Sequence, residues 1–281
     1  MQAWEQLLAR SGPIATRHEV LLTITTHLSR GRVAKRHRSR HDATVETLLK
    51  ETRGLLLRLS GAGLRAAVLT PREHSRAMRL RLDPSVRATL DRREAFLGTA
   101  AGFVADDNAG PLATKEAWSW FAADNTLHRC FQVAEWPRLD VPGDWMRSLL
   151  LWSGVVRSVN VIFQPVPRSR SQRAITAQAT KIDADVAHRT EKGWRIGAWH
   201  RRAAQAWTER EEELVAGFVE LAFGGVVTIS ASTMDELDQA STDITQIAAG
   251  VGVELRALHG RHGDALVACL PVARGVRHHL G

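Results

Sequence analysis

The sequence predicts an α+β protein of two lobes, each built from strand-helix-strand units, with a ferredoxin-like second lobe that carries a long helical arm. Two series of alternating strand-like and helix-like segments are separated by a stretch of little periodicity. The second series is interrupted by almost fifty helical residues, which gives the split βαβ order of ferredoxin-like folds. We therefore expect a first lobe at 1–98, a linker at 99–113, a second lobe at 114–281 and a helical insertion at about 170–218.

The first lobe has the order strand, helix, strand, helix. Runs rich in β-branched or apolar residues predict strands at 19–28 and 64–69. An apolar stripe at helical spacing predicts a helix at 43–59, and glycines follow it. Thr70 is the expected cap of the second helix, with Glu73 completing a capping box.

The second lobe repeats this alternation. Its predicted strands are 127–135, 155–164, 226–230 and 253–258. Its predicted short helices are 145–152 and 234–249, the latter capped by Thr233, and a last apolar segment follows at 265–270. The split βαβ order predicts one sheet with helices on one face, and a parallel doubly wound sheet is the alternative.

Composition indicates a folded, strongly basic protein. The chain has 281 residues, 44% of them hydrophobic, and a net charge of +8 that is carried mostly by arginine. Such a surface attracts nucleic acid, anionic lipid headgroups or an acidic partner protein, although a GC-rich genome also favours arginine codons. The nine tryptophans, with no tyrosine, are more typical of cores or interfaces than of base-stacking surfaces.

The cysteines and the distribution of apolar residues indicate the cellular compartment. Cys130 and Cys269 lie far apart in apolar, strand-like runs, which predicts buried free thiols in a reducing compartment. The sequence has no apolar run long enough to span a bilayer and no signal peptide at its start. We therefore expect a cytoplasmic protein.

A basic run at residues 30–41 is the strongest electrostatic feature. Its cationic residues are the candidates for binding nucleic acid or another anion: Arg30, Arg32, Lys35, Arg36, Arg38 and Arg40. Each basic residue near an anionic leaflet can contribute about 1 kcal/mol, so the run could also hold the chain at a membrane. The alternative is a solvated connection that binds nothing.

Motifs of enzymes are missing. The sequence contains neither a phosphate-binding G-x-x-x-x-G-K-[ST] loop nor a G-x-S-x-G nucleophile elbow. His37 and His41 have helical spacing, but the surrounding arginines would repel a metal cation, and His259 with His262 suggests a solvated polar loop. We predict no catalytic residues, no metal and no cofactor, and keep a hydrolase or transferase with an unfamiliar site as a third hypothesis.

A set of segments that together cover most of the chain has a recognisable pattern: GP at 12–13, HE at 18–19, LTP at 69–71, QVAEWPR at 132–138, VVRSVNVIFQPVP at 155–167, the helical stretch after it, residues 225–248 and LPVARG at 270–275. In these segments the sequence resembles a family of actinobacterial proteins associated with conjugative, type IV-like secretion systems. The family resembles the amino-terminal, non-ATPase part of the conjugation ATPase. Its members carry membrane helices ahead of this region, so this chain is expected to be a shortened member or a separate soluble piece.

The resemblance implies a non-catalytic scaffold or docking component. Its expected partners are a separate secretion or conjugation ATPase and membrane subunits, which would hold the chain at the inner face of the membrane. Glu135, Trp136 and Arg138, where a strand ends at Pro137, are the candidate partner contacts, because an indole and a guanidinium at a sheet rim suit a partner groove. Packing of Trp136 against a neighbouring helix is the alternative. A nucleic-acid-binding module that contacts transferred DNA through the basic run is the alternative function.

Overall fold

A computed structural model describes residue 23 and residues 40–98, 110–137, 141–192 and 198–272. The described residues fall in two compact units. Unit 1 consists of the described residues up to Asn160 and those from Gly225 onwards, and unit 2 is Val161–Gly224. The predicted strand at 19–28 and most of the predicted linker at 99–113 lie outside the described residues, so the division into two lobes stays a prediction.

The protein is an α+β fold with an antiparallel, open sheet of six strands. The helices of the described residues are α1 Arg40–Gly61, α2 Pro71–Leu82, α3 Arg87–Leu97, α4 Arg147–Leu151, α5 Arg168–Glu191, α6 Ala198–Val215, α7 Met234–Gly250 and α8 His262–Cys269. The strands are β1 Thr114–Glu116, β2 Phe121–Ala123, β3 Thr126–Glu135, β4 Val156–Pro165, β5 Leu221–Ala231 and β6 Glu254–Ala257.

The strand order confirms the ferredoxin-like prediction. The sheet runs β1-β2-β3-β5-β4, and β6 also pairs with β3. The four strands β6-β3-β5-β4, with α4 and α7 in the crossovers, therefore have the split βαβ arrangement. The pairings of β3 with β5 and of β3 with β6 are antiparallel, which contradicts the parallel doubly wound alternative. A bulge between Val133 and Glu135 shifts the register with β6.

The two helix caps predicted from the sequence are present in the structure. Thr70 accepts from the backbone N–H of Glu73 and the Glu73 carboxylate accepts from the backbone N–H of Thr70, so the predicted capping box is present. Thr233 caps α7, where its hydroxyl accepts from the N–H of Glu236 at 3.3 Å. The long helical insertion is present as α5 and α6.

The predicted strand at 64–69 is wrong. These residues form an extended loop between α1 and α2, with Val68 63% exposed. In the described part of the chain no strand lies beside them, and an extended segment without a partner cannot form the hydrogen bonds of a sheet. Residues 40–98 therefore contain helices joined by loops, and no strand.

Unit 1 has its core on both faces of the sheet, which corrects the expectation that helices cover one face. Alternate residues of β3 and β5 point to opposite faces. One face forms the first core with α4 and α7; its buried residues include Phe131, Val227, Ile229, Leu237 and Ile244. The other face forms the second core with α2 and α8; its buried residues include Leu82, Cys130, Val226, Ala265 and Leu266.

Polar groups also join α2 to the sheet. His128 is fully buried, and its Nε2–H donates to the carbonyl of Leu82 at 2.8 Å. Its Nδ1 lies 2.9 Å from the hydroxyl of Ser230, which must then donate to it because the neutral ring carries one proton. Thr126 donates to the carboxylate of Asp83 at 2.8 Å. These bonds satisfy buried polar groups and fix where the helix lies.

Candidate functional site

An exposed apolar patch lies in unit 2. It consists of six side chains, each at least 38% exposed: Val161, Phe163, Phe218, Val219, Leu221 and Phe223. The strand residues alternate along β4 and β5, so each strand presents its two on one face. The rings of Phe163 and Phe223 contact each other, with centroids 6.2 Å apart. We call these six residues the apolar patch.

Contacts with the helical arm hold the strands of the apolar patch. The N–H of Val166 donates to the carbonyl of Glu220 at 2.9 Å, and Glu220 also forms an ion pair with Arg210 of α6. Arg168 donates to the carbonyl of Leu214 at 3.0 Å, which satisfies a carbonyl in the last turn of α6. These bonds therefore fix the ends of the two strands that carry apolar side chains of the patch.

A polar groove lies in unit 1, between the sheet and α7. Its volume is about 550 Å³, and Phe131, Ala257 and Met234 form its apolar surface. Its polar lining consists of Ser119, Arg129, Asp238, Ser241, Thr242, Thr245, Gln246 and His259. Polar and apolar groups thus meet in one concave surface, as in many ligand sites.

Arg129 organises one wall of this groove. Its guanidinium donates to the Ser119 carbonyl at 2.8 Å, to the Ser241 hydroxyl at 2.7 Å and to the Asp238 carboxylate at 2.9 Å. The arginine reaches from β3 to the turn between β1 and β2 and to α7. Its side chain is only 11% exposed, so its position is fixed by these bonds.

His262 lies at the start of α8 and not in a solvated loop, which corrects the sequence interpretation. Its side chain is fully buried, and its Nδ1 accepts from the N–H of Cys130 at 3.1 Å. Burial, with the charges of His259 and Arg129 next in importance, lowers the pKa of His262 to about 4. Burial also lowers the pKa of His128. Both histidines are therefore neutral members of the fold.

The two cysteines are free, as predicted, but Cys269 ends a helix and does not lie in a strand. Burial raises the pKa of the Cys130 thiol to about 12 and raises that of Cys269 as well. The thiolate is the reactive form of cysteine, so neither group is activated as a nucleophile at neutral pH.

Stability should fall in mild acid because of the buried histidines. The pKa of His262 is lower in the folded protein, about 4, than its ordinary value of 6.5, so the unfolded chain binds more protons between these values. The contribution of neutral His262 to the free energy of unfolding is complete above pH 6.5 and is lost as the pH falls towards 4. At about 1.4 kcal/mol per pKa unit, the loss reaches about 3 kcal/mol. Urea unfolding at a series of pH values measures this slope.

His262→Asn should flatten that slope, because the amide oxygen can still accept from Cys130 but does not titrate. His74→Asn, at a half-buried histidine of α2, is the control. An unchanged slope in His262→Asn would show that this side chain does not cause the loss.

The structure brings together few of the predicted site residues. Arg40 begins α1, whereas Arg30, Arg32, Lys35, Arg36 and Arg38 lie outside the described residues. Arg138 also lies outside them. Glu135 is exposed at the end of β3, beyond the bulge and opposite Glu254. The roles proposed for these residues stay predictions.

Trp136 packs against the first core, in agreement with the alternative interpretation of that residue. It is half-buried and makes an edge contact with Trp145, with ring centroids 6.4 Å apart. Its ring also lies over Gly225, where a Cβ would come within 2.6 Å of the indole Cζ2. The glycine thus gives the indole its space, and a partner contact by Trp136 stays a prediction.

Sequence reasoning missed the apolar patch and the groove. The predicted strand at 226–230 began too late to include Leu221 and Phe223, although the alternation of LAF before Gly224 was a usable signal. The hairpin of β1 and β2 was also missed, and with it Ser119 at the groove. Its strands are only three residues each, too short for a periodic pattern.

Comparisons with known proteins add no family. No protein-family model matches the chain, and no curated protein matches it.

In the described part of the chain, no helix is both long and apolar enough to cross a membrane. The same residues contain no group of three or more His, Cys, Asp or Glu placed to hold a metal ion.

Proposed function

We propose that this chain is a non-catalytic docking component of a conjugation or type IV-like secretion machine, in which a separate ATPase and membrane subunits are its partners. The observation that supports docking is the apolar patch of unit 2. Soluble proteins seldom expose a group of large apolar side chains, and such surfaces mark protein–protein or membrane contacts. The resemblance of the sequence to secretion proteins supports the kind of partner.

Two features suit the apolar patch to a protein partner. Phe163 and Phe223 are aromatic side chains, the type enriched at the centre of interfaces. The bond between Val166 and Glu220, and the ion pair of Glu220 with Arg210 of the helical arm, hold the strand ends before binding, which lowers the ordering cost. We assign the ATPase to this surface and propose that the chain itself does not turn over nucleotide, since its sequence has no phosphate-binding loop.

Phe163→Asp tests this proposal. The variant places a charge at the patch and should weaken binding of the purified chain to a conjugation-type P-loop ATPase from the same genome by about tenfold or more. Isothermal titration calorimetry measures the affinity. Phe96→Asp, which changes an 84% exposed phenylalanine of α3 in unit 1, is the matched control and should bind like the parent.

Two results would contradict the proposal. Equal affinity of Phe163→Asp and the parent would remove the patch from the interface. ATP hydrolysis by the purified chain alone, abolished by one internal substitution, would make the chain an enzyme and overturn its role as a docking component.

A further inference from the structure

We propose that the polar groove of unit 1 binds single-stranded nucleic acid, with one base stacked on the indole of Trp118. The inference does not depend on docking through the apolar patch, because different residues carry it. Nor does it use the basic run at residues 30–41. The argument rests on the aromatic surface at the groove, on its hydrogen-bonding groups and on the charge beside it.

Trp118 presents a flat aromatic surface to solvent. It lies in the turn between β1 and β2, and its side chain is 74% exposed. The imidazole of His259, which lines the groove, stacks on the indole with centroids 5.6 Å apart and planes within 7°. One face of the indole is thus covered while much of the ring stays open, and an exposed indole of this kind is a stacking surface for a base.

The backbone of Trp118 is held from the opposite turn. The N–H of Gly260 donates to the carbonyl of Trp118 at 2.8 Å. Gly260 has a φ of +68°, and a Cβ there would lie 3.1 Å from Cζ3 of the indole. Glycine therefore allows both the turn and the close approach. The turn that carries the indole is thus held before binding, which lowers the ordering cost of stacking.

The groove beside Trp118 offers groups that suit the polar edge of a base. Arg129 uses three of its five N–H groups on Ser119, Ser241 and Asp238 in the bonds described above, so two remain for solvent or a ligand carbonyl. Gln246 adds an amide that can donate and accept. Phe131 and Ala257 form apolar surface against which a ring can pack.

Charge favours a nucleic acid over a neutral aromatic peptide. Lys115 lies near the same hairpin turn, 5.4 Å from the ring of Trp120, and the exposed Arg261 follows Gly260. Two of the neighbouring carboxylates are engaged: Asp238 with Arg129, and Glu116 with the N–H groups of His262 and Gly263 at 3.0 Å each. Lys115 and Arg261 would attract a phosphate backbone to this side of the groove.

Fluorescence anisotropy with a short, labelled oligothymidine tests the proposal on the full chain. The parent should bind, and affinity should fall as salt rises, because phosphate contacts release counterions. Trp118→Ala should weaken binding about tenfold, the effect of losing one stacked base, and Trp118→Phe should restore most of it. Trp207→Ala, a half-buried tryptophan of unit 2, is the matched control and should bind like the parent.

Gln246→Glu is a second variant that keeps the fold, and its added negative charge in the groove should also weaken binding. Three results would overturn the proposal. One is a parent that does not bind the oligonucleotide. Another is full affinity in both Trp118→Ala and Gln246→Glu, with binding lost only when the basic residues at 30–40 are neutralised. The third is salt-independent binding of an aromatic peptide that displaces the oligonucleotide.

Discussion

Asp83→Ala is expected to lower the free energy of unfolding by about 3 kcal/mol. The carboxylate is 1% exposed and joins three elements. It accepts from the backbone N–H of Ser85 at 3.1 Å and from the hydroxyl of Thr126 at 2.8 Å. Arg79 of α2 lies 3.5 Å from its other oxygen. Alanine would leave these donors unsatisfied in a buried place, which costs more than the loss of the bonds alone.

Urea unfolding followed by tryptophan fluorescence measures this loss. Asp83→Asn should lose less, about 1–2 kcal/mol, because its amide oxygen still accepts. Asp144→Ala, at an exposed position before α4, should stay within about 0.5 kcal/mol of the parent. A loss below about 1 kcal/mol in Asp83→Ala would mean that the carboxylate does not hold α2 to the sheet.

Ile229→Ala should lower the free energy of unfolding by about 2–5 kcal/mol, because it opens a cavity in the first core. Ile229 is fully buried on β5, in the same core as Leu237 and Ile244 of α7. Ile229→Val removes one methylene and should cost about 0.5–1.5 kcal/mol. The shift of the urea midpoint at constant slope measures both values.

Val267→Ala provides the comparison for that series. Val267 is 39% exposed on α8, so its truncation leaves little cavity and should cost well below the loss in Ile229→Ala. Similar losses for the two alanine variants would contradict the assignment of Ile229 to a tightly packed core.

Where packing and propensity agree, the sequence was sufficient to predict the fold. α7 has a capping threonine, and its apolar residues recur at helical spacing: Leu237, Ala240, Ile244 and Ala248, all buried. β3 was predicted within one residue of its observed start, and most of its residues are buried, on both faces of the sheet. The order of these elements was then enough to predict the ferredoxin-like strand order.

Local pattern failed where tertiary partners decide. Residues 64–69 have strand-like composition, but no neighbouring strand pairs with them in the described part of the chain. The run at 265–270 is strand-like in composition, but a short apolar run fits a helix or a strand equally well. Burial of α8 against the second core accompanies the helical form there. Neither outcome depends on the residues of the segment alone.

The candidate sites were harder to predict than the fold because both depend on residues distant in sequence. Phe163 and Phe223 meet through the pairing of β4 with β5, and Trp118 meets His259 through the contact of two turns. The charge pattern of the sequence predicts a binding site at the basic run instead, and this run lies outside the described residues except for Arg40 and His41. Composition indicates that a surface can bind, and topology determines which side chains form it.

Hydrogen–deuterium exchange with and without the conjugation-type ATPase tests the docking proposal most directly. Binding at the apolar patch predicts slower exchange in peptides that cover residues 161–165 and 218–223, with α2 unchanged. Phe163→Asp should abolish that protection, and Phe96→Asp should retain it. Formation of the complex without protection in either peptide would contradict the proposal that the apolar patch is the docking surface.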